Sequence, residues 1–240
     1  MTDLKPEDII HKSYMNRILM EIADNGILLQ CLAFKGGTCA SMLSYLDRFS
    51  VDLDFDLIKN EKEAIIRKEL KDIFRHLGLT VKKEFDNVLM FQILHPSQPN
   101  KRNSIKVSIN TNPPKSNIYK VQNLPEINRL MSCQTIETMF ANKLVAVTDR
   151  YEKHNTIAGR DIYDIHYFFI NGHNCSDKVI KERTGLDRNE YFAKLSKFIS
   201  EKISQTTINE DLNSLLPDKK FQSVRKVLIP ETLNFLSSNV

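Results

Sequence analysis

The sequence predicts an α+β fold, in which a mixed sheet flanked by helices is followed by a mostly helical C-terminal domain. Residues 50–58 (SVDLDFDLI) alternate strictly between apolar and acidic side chains, which is typical of a strand. Residues 6–24 carry apolar side chains at helical spacing, so helix and strand mix in the first half of the chain. Beyond residues 115–130 the patterns are helical. These observations predict two domains, at residues 1–120 and 121–240.

Local signals justify each element of the first half. The helix at residues 6–24 tolerates Pro6 in its first turn and stops at Asn25-Gly26. Residues 27–34 (ILLQCLAF) are a continuous apolar run, which predicts a buried strand. The other predicted elements of this half are a short helix at 38–45, the strand at 50–58, an amphipathic helix at 61–77, and strands near 80–94 and 104–110.

Turn signals and helical patterns describe the rest of the chain. Residues 95–103 are rich in Pro, Ser and Asn, which predicts a turn between the last two strands. Asn112-Pro113-Pro114 then stops the sheet pattern, and a short irregular stretch follows. The predicted helices of the second half cover residues 135–153, 160–171, 176–182, 188–205 and 220–239.

The composition is that of a folded protein with an ordinary core. The chain has 240 residues, of which 41% are hydrophobic, enough for one large domain or two small ones. A net charge of +4 permits a nucleotide or nucleic-acid partner without requiring one. The four cysteines and six histidines are scattered, which argues against a disulfide framework and against a histidine-ligated zinc site.

Membrane and export signals are absent from the sequence. The first ten residues, MTDLKPEDII, contain no apolar signal core. No apolar run approaches the ~18 residues that a membrane-spanning helix needs. The sequence therefore predicts a cytoplasmic protein without a membrane partner.

Three aspartates, Asp52, Asp54 and Asp56, occupy alternate positions of one predicted strand. Same-face neighbours on a strand are about 6.6 Å apart, so Asp52 and Asp54 converge on one site. Each carboxylate raises the pKa of the other unless a cation lies between them. Mg²⁺ prefers oxygen ligands and often uses one or two carboxylates with substrate phosphates. The pattern therefore indicates a Mg²⁺ site, with a solvated strand face as the alternative.

A glycine pair, Gly36-Gly37, separates a predicted strand from a short helix that Thr38 can cap. Backbone N–H groups at the start of a helix favour anions, and glycine lets a phosphate approach the backbone closely. A glycine pair alone is usually only a turn. Placed before an Asp-x-Asp strand, it predicts a phosphate site beside the metal that would bridge those phosphates.

Two blocks of sequence together resemble a known family. The first, FKGGT…RFSVDLDFDL, lies within residues 34–57, and the second, MFANKLVAVTDRYEKHNTIAGRDIYDIHYFF, covers residues 139–169. They are similar to the KGGT turn with R-x-S-x-D-[ILV]-D, and to the A-x-KL-x-A…R…RD-x-x-D signature, of the AbiEii/AbiGii toxin family. The resemblance covers roughly residues 10–215. It implies a polymerase-beta-like nucleotidyltransferase core, followed by a helical domain that completes the active site.

The resemblance implies roles for individual residues. Asp52 and Asp54 would hold Mg²⁺ and take part in catalysis together with Lys143 and Asp161. The implied nucleotide-binding residues are Lys35, Gly36, Gly37, Thr38 and Ser50.

The second block can also be interpreted from its residues alone. Lys143 and Arg150 are seven apart on a predicted helix and share a face, as do Asp161 and Asp164 on the next helix. Without the family, a structural ion-pair seam is the favoured interpretation, and one wall of an active site is the alternative. The resemblance implies that Lys143 acts on the triphosphate, and that Asp161 positions or deprotonates the attacking hydroxyl. Arg150 and Asp164 stay candidates for the seam.

One position departs from the superfamily pattern. Many members place a third metal-binding carboxylate on a later strand, but SIKVSIN, residues 104–110, has Ser108 at that position. This departure argues against a symmetric two-metal site. Either Asp56 or Asp161 compensates, or a single Mg²⁺ arrives with the nucleotide.

The sequence therefore predicts a Mg²⁺-dependent enzyme, with one or two ions, that transfers a nucleotide from an NTP to an acceptor hydroxyl. The resemblance implies an RNA acceptor, tRNA in particular, and a toxin of a toxin–antitoxin or abortive-infection system with a cognate antitoxin. Two alternatives stay open. One is a nucleotidyltransferase that modifies an antibiotic or metabolite, and the other is a catalytically degenerate module that binds nucleotide or protein.

Overall fold

One mixed β-sheet organises the first half of the chain. The computed structural model describes residues 5–59, 63–97, 101–213 and 215–238. Within these ranges the strands are β1 (Leu32–Lys35), β2 (Leu53–Leu57), β3 (Thr80–Phe85), β4 (Met90–Leu94), β5 (Ser104–Asn110), β6 (Tyr119–Leu124) and β7 (Arg129–Gln134). Their order in the sheet is β3-β4-β5-β2-β1-β7-β6. The β2–β5 and β1–β7 pairs are parallel, and the other neighbouring pairs are antiparallel.

Helices pack against the sheet and dominate the second half of the chain. They are α1 (Pro6–Asp24), α2 (Gly26–Cys31), α3 (Gly36–Met42), α4 (Glu63–His76), α5 (Ile136–His154), α6 (Gly159–Ile170), α7 (Asp177–Thr184), α8 (Arg188–Lys202), α9 (Gln205–Leu212), α10 (Asp218–Val224) and α11 (Leu228–Ser238). Helix α6 packs against α5, α9 and α11. In the described ranges, no helix has the length and apolar character needed to cross a membrane.

The alternating sequence of β5 matches its burial. Ile105, Val107 and Ile109 are buried, whereas the side chains between them are partly exposed. Because successive strand side chains point to opposite faces, one face of β5 enters the core and the other stays open. The parallel register with β2 places Ser108 beside Asp54 on the open face.

The prediction of a strand over residues 27–34 is wrong in its first part. Helix α2 occupies Gly26–Cys31, and β1 begins only at Leu32. The side chain of Asn25 accepts hydrogen bonds from the backbone N–H groups of Ile27 and Leu28, so Asn25 starts a new helix as well as ending α1. A short apolar run fits a buried helix and a buried strand equally well, and the cap decides between them.

Other elements also differ from the prediction. The strand near 80–94 is a hairpin of β3 and β4, and the helix at 220–239 is two helices, α10 and α11. Helix α9 was not predicted. The stretch after Pro114 is not irregular: it contains β6 and β7, which continue the sheet beyond residue 120. The division into two domains stays a prediction, and residues 61, 62 and 239 of the predicted helices lie outside the described ranges.

Candidate active site

A cleft of about 550 Å³ lies between the sheet and the helices α5 and α7. Among its lining residues are Lys35, Gly36, Gly37 and Asp54 on the sheet side, and Asn142, Lys143, Asp149 and Arg183 on the helical side. The structure therefore brings residues of both sequence blocks to one cavity. Of the other predicted site residues, Thr38 and Ser50 line a much smaller neighbouring cavity. Asp52 and Asp161 are not among the residues that line the cleft.

The glycine turn needs glycine because side chains crowd it. Gly36 has a φ of +78°, and a Cβ atom there would lie 2.9 Å from Asp54 Oδ2. A Cβ atom on Gly37 would lie 3.0 Å from both Arg48 Nη2 and Ser50 Oγ. The turn therefore sits directly against the acidic strand.

Thr38 fastens the glycine turn to the acidic segment. Its hydroxyl donates a hydrogen bond of 2.5 Å to the backbone carbonyl of Asp52, which lies just before β2. The predicted side-chain cap of the short helix does not form, because helix α3 begins at Gly36 with Lys35 as its N-cap and no side-chain hydrogen bond. The first N–H groups of α3 are therefore left for another partner.

The two predicted metal ligands lie in different surroundings. Asp54 lines the cleft opposite Lys35 in the β1–β2 register, and no hydrogen bond or ion pair within the described ranges engages its carboxylate. Burial raises the pKa of Asp54, Lys106 counteracts that rise, and Asp52 adds to it. Asp52 is partly exposed, and its Oδ2 lies 3.7 Å from Lys106 Nζ.

This donor set fits a single hard cation. Across the described ranges, no group of three or more His, Cys, Asp or Glu side chains is arranged to hold a metal ion. Ser108, beside Asp54, supplies no third carboxylate. The remaining donors are the carboxylates of Asp52 and Asp54. The Asp54 carboxylate is unpaired and lies against Gly36, at the start of helix α3, where backbone N–H groups favour a phosphate. Mg²⁺ held by one or two carboxylates and substrate phosphates matches this set.

Asp56 is not available as the missing ligand. Its side chain is fully buried, and Oδ1 lies 2.5 Å from Lys35 Nζ. Its Oδ2 accepts hydrogen bonds from Asn117 Nδ2 at 3.1 Å, Tyr119 OH at 2.9 Å and Gln134 Nε2 at 2.6 Å. Both carboxylate oxygens of the third aspartate are therefore occupied by protein donors, and neither is free to bind a metal ion.

Lys143 is one of the cations on the helical wall of the cleft. Its Nζ lies 2.9 Å from Asp161 Oδ1 and 3.0 Å from Asp164 Oδ2. Burial lowers the pKa of Lys143, but Asp161 and then Asp164 outweigh burial and raise it. Lys143 is therefore an ammonium ion at neutral pH.

Asp161 supports Lys143 from behind. Its side chain is almost fully buried, and Arg150 Nε lies 3.5 Å from its Oδ2. Burial raises the pKa of Asp161, but Lys143 and Arg150 outweigh it, so the pKa falls below its ordinary value. A carboxylate with a lowered pKa is a poor proton acceptor. The lowered pKa argues against proton abstraction by Asp161, and its role towards the attacking hydroxyl stays a prediction.

The family match decides the class of the protein. The family model described as "Nucleotidyl transferase AbiEii toxin, Type IV TA system" matches residues 17–231. The chain belongs to the AbiEii family. The predicted enzyme class, a nucleotidyltransferase, and its family are thereby confirmed, and AbiEii membership implies an NTP substrate and a cognate antitoxin. Among curated proteins, none matches this chain in sequence.

Solved structures share the fold of this AbiEii chain. A candidate nucleotidyltransferase from H. pylori has a TM-score of 0.62 at 20% identity, over 98% of this chain and 95% of its own. JHP933 from Helicobacter pylori has a TM-score of 0.57 at 19% identity, over 99% of this chain and 96% of its own. MenT4, a nucleotidyltransferase toxin from Mycobacterium tuberculosis H37Rv, has a TM-score of 0.56 at 14% identity, over 96% of this chain and 84% of its own. These likenesses confirm the predicted fold class, including its helical C-terminal region.

The AbiEii cleft also contains residues that the sequence did not single out. Arg183, on α7, donates from Nη1 to Asn142 Oδ1 at 2.8 Å and from Nη2 to Asp149 Oδ2 at 2.6 Å. Asn117, just before β6, and Gln134, at the end of β7, also line the cleft. No spacing rule could have found them, because Asn117 and Gln134 lie in a stretch that was predicted as irregular and Arg183 lies just beyond the helix predicted at 176–182.

Proposed function

We propose that this AbiEii chain is a Mg²⁺-dependent nucleotidyltransferase that moves a nucleotide from an NTP to a hydroxyl group of RNA, with tRNA as the first acceptor to test. Family membership supplies the toxin nucleotidyltransferase class. The metal, the acceptor and a cytoplasmic location belong to the proposal. One observation carries it: the unpaired carboxylate of Asp54 faces a cleft between the glycine turn and the Lys143 ammonium.

The triphosphate is assigned to the glycine turn. Gly36 and Gly37 open helix α3, whose first N–H groups have no side-chain cap. The N–H groups at the start of a helix, together with the helix dipole, favour an anion such as a phosphate. Lys35, next to the turn, lines the same cleft and adds positive charge. Thr38 keeps the Asp52 segment against the turn, and Ser50 packs beneath Gly37.

Asp52 and Asp54 are the residues that would hold Mg²⁺. When bound, the ion neutralises phosphate charge and favours departure of pyrophosphate. The protein itself supplies the positions of the two carboxylates. Asp54 is fixed in β2, and Asp52 is fixed through the hydrogen bond from Thr38 to its carbonyl.

Lys143 faces the phosphates from the helical wall. As an ammonium ion it can donate hydrogen bonds to phosphate oxygens, where negative charge grows during transfer. Asp161 and Asp164 hold its Nζ on the side away from the cleft. We assign Asp161 the role of positioning Lys143, and the acceptor hydroxyl is brought in line by binding in the cleft.

The proposal is tested by incubating the protein with each labelled NTP, Mg²⁺ and total tRNA. The variants are Asp54→Asn, which keeps the shape and removes the charge, and Asp86→Asn, a matched change at an exposed turn. Label on tRNA with wild type and Asp86→Asn, and its loss with Asp54→Asn, supports the proposal. Transfer to a small-molecule acceptor with unlabelled tRNA overturns the RNA assignment. NTP binding without transfer to either acceptor overturns the catalytic assignment.

A further inference from the structure

The buried aspartate of the acidic strand points to a further function in the same site, and this inference rests on the proposed function. Asp56 receives four donors, although its side chain has no exposed surface. A buried carboxylate is costly unless its oxygens are hydrogen-bonded. Here one donor, Lys35, is charged, and the other three are neutral. Such an arrangement fixes both the carboxylate and its cation in one geometry.

Tyr119 stays a neutral donor in this arrangement. Burial and the nearby Asp56 carboxylate raise the pKa of Tyr119 far above its ordinary value. Its hydroxyl therefore keeps its proton and donates to Asp56 Oδ2. With Asn117 and Gln134, it occupies Oδ2 and leaves Oδ1 for Lys35.

Lys35 connects this buried carboxylate with the cleft. It ends β1, precedes Gly36 and faces Asp54 across the β1–β2 pairing. Its side chain is about one-fifth exposed and lines the cleft. A free lysine side chain has many rotamers, and fixing it costs free energy when a ligand binds. Contact with Asp56 fixes it beforehand and leaves two ammonium N–H groups for another partner.

We propose that Asp56 is a positioning residue for the triphosphate: it holds the Lys35 ammonium at the glycine turn and is not a metal ligand. The sequence places Asp56 in line with Asp52 and Asp54, but the contacts separate their roles. Asp54 has an unpaired carboxylate at the cleft. Both carboxylate oxygens of Asp56, in contrast, accept hydrogen bonds from donors on β1, β6, β7 and the segment before β6.

The same carboxylate also orders a second cleft cation. Asn117 donates to Asp56 and accepts from Asn142 Nδ2 at 3.0 Å, while Asn142 accepts from Arg183 Nη1 at 2.8 Å. An amide has donors on one side and an acceptor on the other, so a carboxylate at one end and a guanidinium at the other fix both amides. Asp56 therefore orients Lys35 directly and Arg183 through two asparagines.

The test measures binding of inorganic tripolyphosphate and of the four ribonucleosides separately, by calorimetry without divalent metal. We expect Asp56→Asn to weaken tripolyphosphate binding about tenfold, the effect of one charge-assisted contact. Nucleoside binding should stay within twofold. Lys35→Met should cause a similar loss. The double variant should lose much less than the sum of the two single losses, because both changes act mainly on the Lys35–Asp56 contact and only the weaker link to Arg183 is added.

Asp24→Asn is the matched control, because Asp24 pairs with Arg129 of β7 on the surface, away from the cleft. Additive losses in the double variant, or equal losses for nucleosides and tripolyphosphate, would overturn the positioning role. If Asp56→Asn does not fold, the half-buried Lys35→Met decides: tripolyphosphate binding as tight as in wild type rejects the inference. Failure of the proposed function is seen separately, as an absence of tripolyphosphate binding and of nucleotide transfer in wild type.

Discussion

Arg48 and Asp164 form a two-pronged ion pair that is buried between the two sequence blocks. Arg48 Nε lies 2.5 Å from Asp164 Oδ1, and Nη2 lies 2.7 Å from Oδ2. The third arm of the guanidinium, Nη1, donates to the Phe49 carbonyl at 3.0 Å. The arginine precedes the acidic strand and the aspartate lies on α6, so the pair connects the acidic strand to the helices of the second half of the chain. Asp164 also contacts Lys143, which joins this ion pair to the cleft.

Breaking this pair should destabilise the protein strongly. Asp164→Asn leaves the Arg48 guanidinium buried without a counter-charge, for which we expect a loss of about 3–5 kcal/mol in the free energy of unfolding. Urea denaturation at neutral pH measures it. The double variant Arg48→Met, Asp164→Leu should lose much less than the sum of the single variants. A loss below about 1 kcal/mol in Asp164→Asn would show that the pair does not hold the two blocks together.

Gly36→Ala should damage activity more than stability. The positive φ costs an alanine about 1 kcal/mol, and the new Cβ would push on Asp54 Oδ2, which lies 2.9 Å away. Gly78→Ala is the matched control, because Gly78 also has a positive φ, +67°, with open space around it. We expect similar thermal stability for both variants and a loss of nucleotide transfer of about 100-fold only for Gly36→Ala. Equal activity in the two variants would contradict the close approach.

The buried histidine on α1 should make the protein acid-sensitive. His11 is fully buried, its Nε2–H donates to the Val51 carbonyl at 2.9 Å, and burial lowers its pKa from 6.5 to about 4. His95 and Arg102 oppose its protonation, and Asp52 favours it. The unfolded chain therefore binds a proton at higher pH than the folded one. The contribution of neutral His11 to the free energy of unfolding is fully present above pH 6.5 and is lost as the pH falls towards 4.

The size of this effect follows from the two pKa values. A shift of this size corresponds to about 3 kcal/mol, to be measured by chemical denaturation at a series of pH values. His11→Gln should flatten the dependence between pH 6.5 and 4, although it also lowers stability at pH 7. If the slope in this window is the same in wild type and variant, His11 is not its source.

Gly159→Ala should test the packing behind α6. A Cβ on Gly159 would lie 2.7 Å from the Thr207 carbonyl oxygen, a backbone atom that cannot swing away. We expect a loss of about 1–3 kcal/mol in the free energy of unfolding, the usual cost of overpacking. Gly26→Ala provides the comparison, because Gly26 also begins a helix but has open space around it. Thermal denaturation of both variants measures the difference, and equal melting temperatures would contradict the contact.

The sequence predicted those elements whose burial follows one clear period. β5 alternates because one of its faces is in the core, and α1 carries a buried stripe. The β6–β7 hairpin carries no such signal, because it lies at the edge of the sheet with Val121 and Leu130 exposed. Its place in the sheet is set by pairing with β1, and residues 119–134 do not encode this pairing locally.

At the candidate site, the sequence predicted which residues of the local motifs take part, but it did not predict how their roles differ. Asp54 and Asp56 have the same spacing, charge and strand. They differ because Asn117, Tyr119 and Gln134, which lie 61 to 78 residues further along the chain, surround only Asp56. Burial of Asp161 behind Lys143 is likewise a tertiary property. Contacts over such separations arise only from the folded arrangement.

The position of α6 has a consequence for biosynthesis. Arg48 leaves the ribosome 116 residues before Asp164, and α6 packs against α9 and α11, which follow it in the chain. Domains generally fold as their segments emerge, from the N-terminus onwards. We therefore expect a nascent chain to carry the glycine turn and the acidic strand before the wall opposite them is assembled. Such an order would delay assembly of the cleft until α6 and the helices that pack against it have been translated.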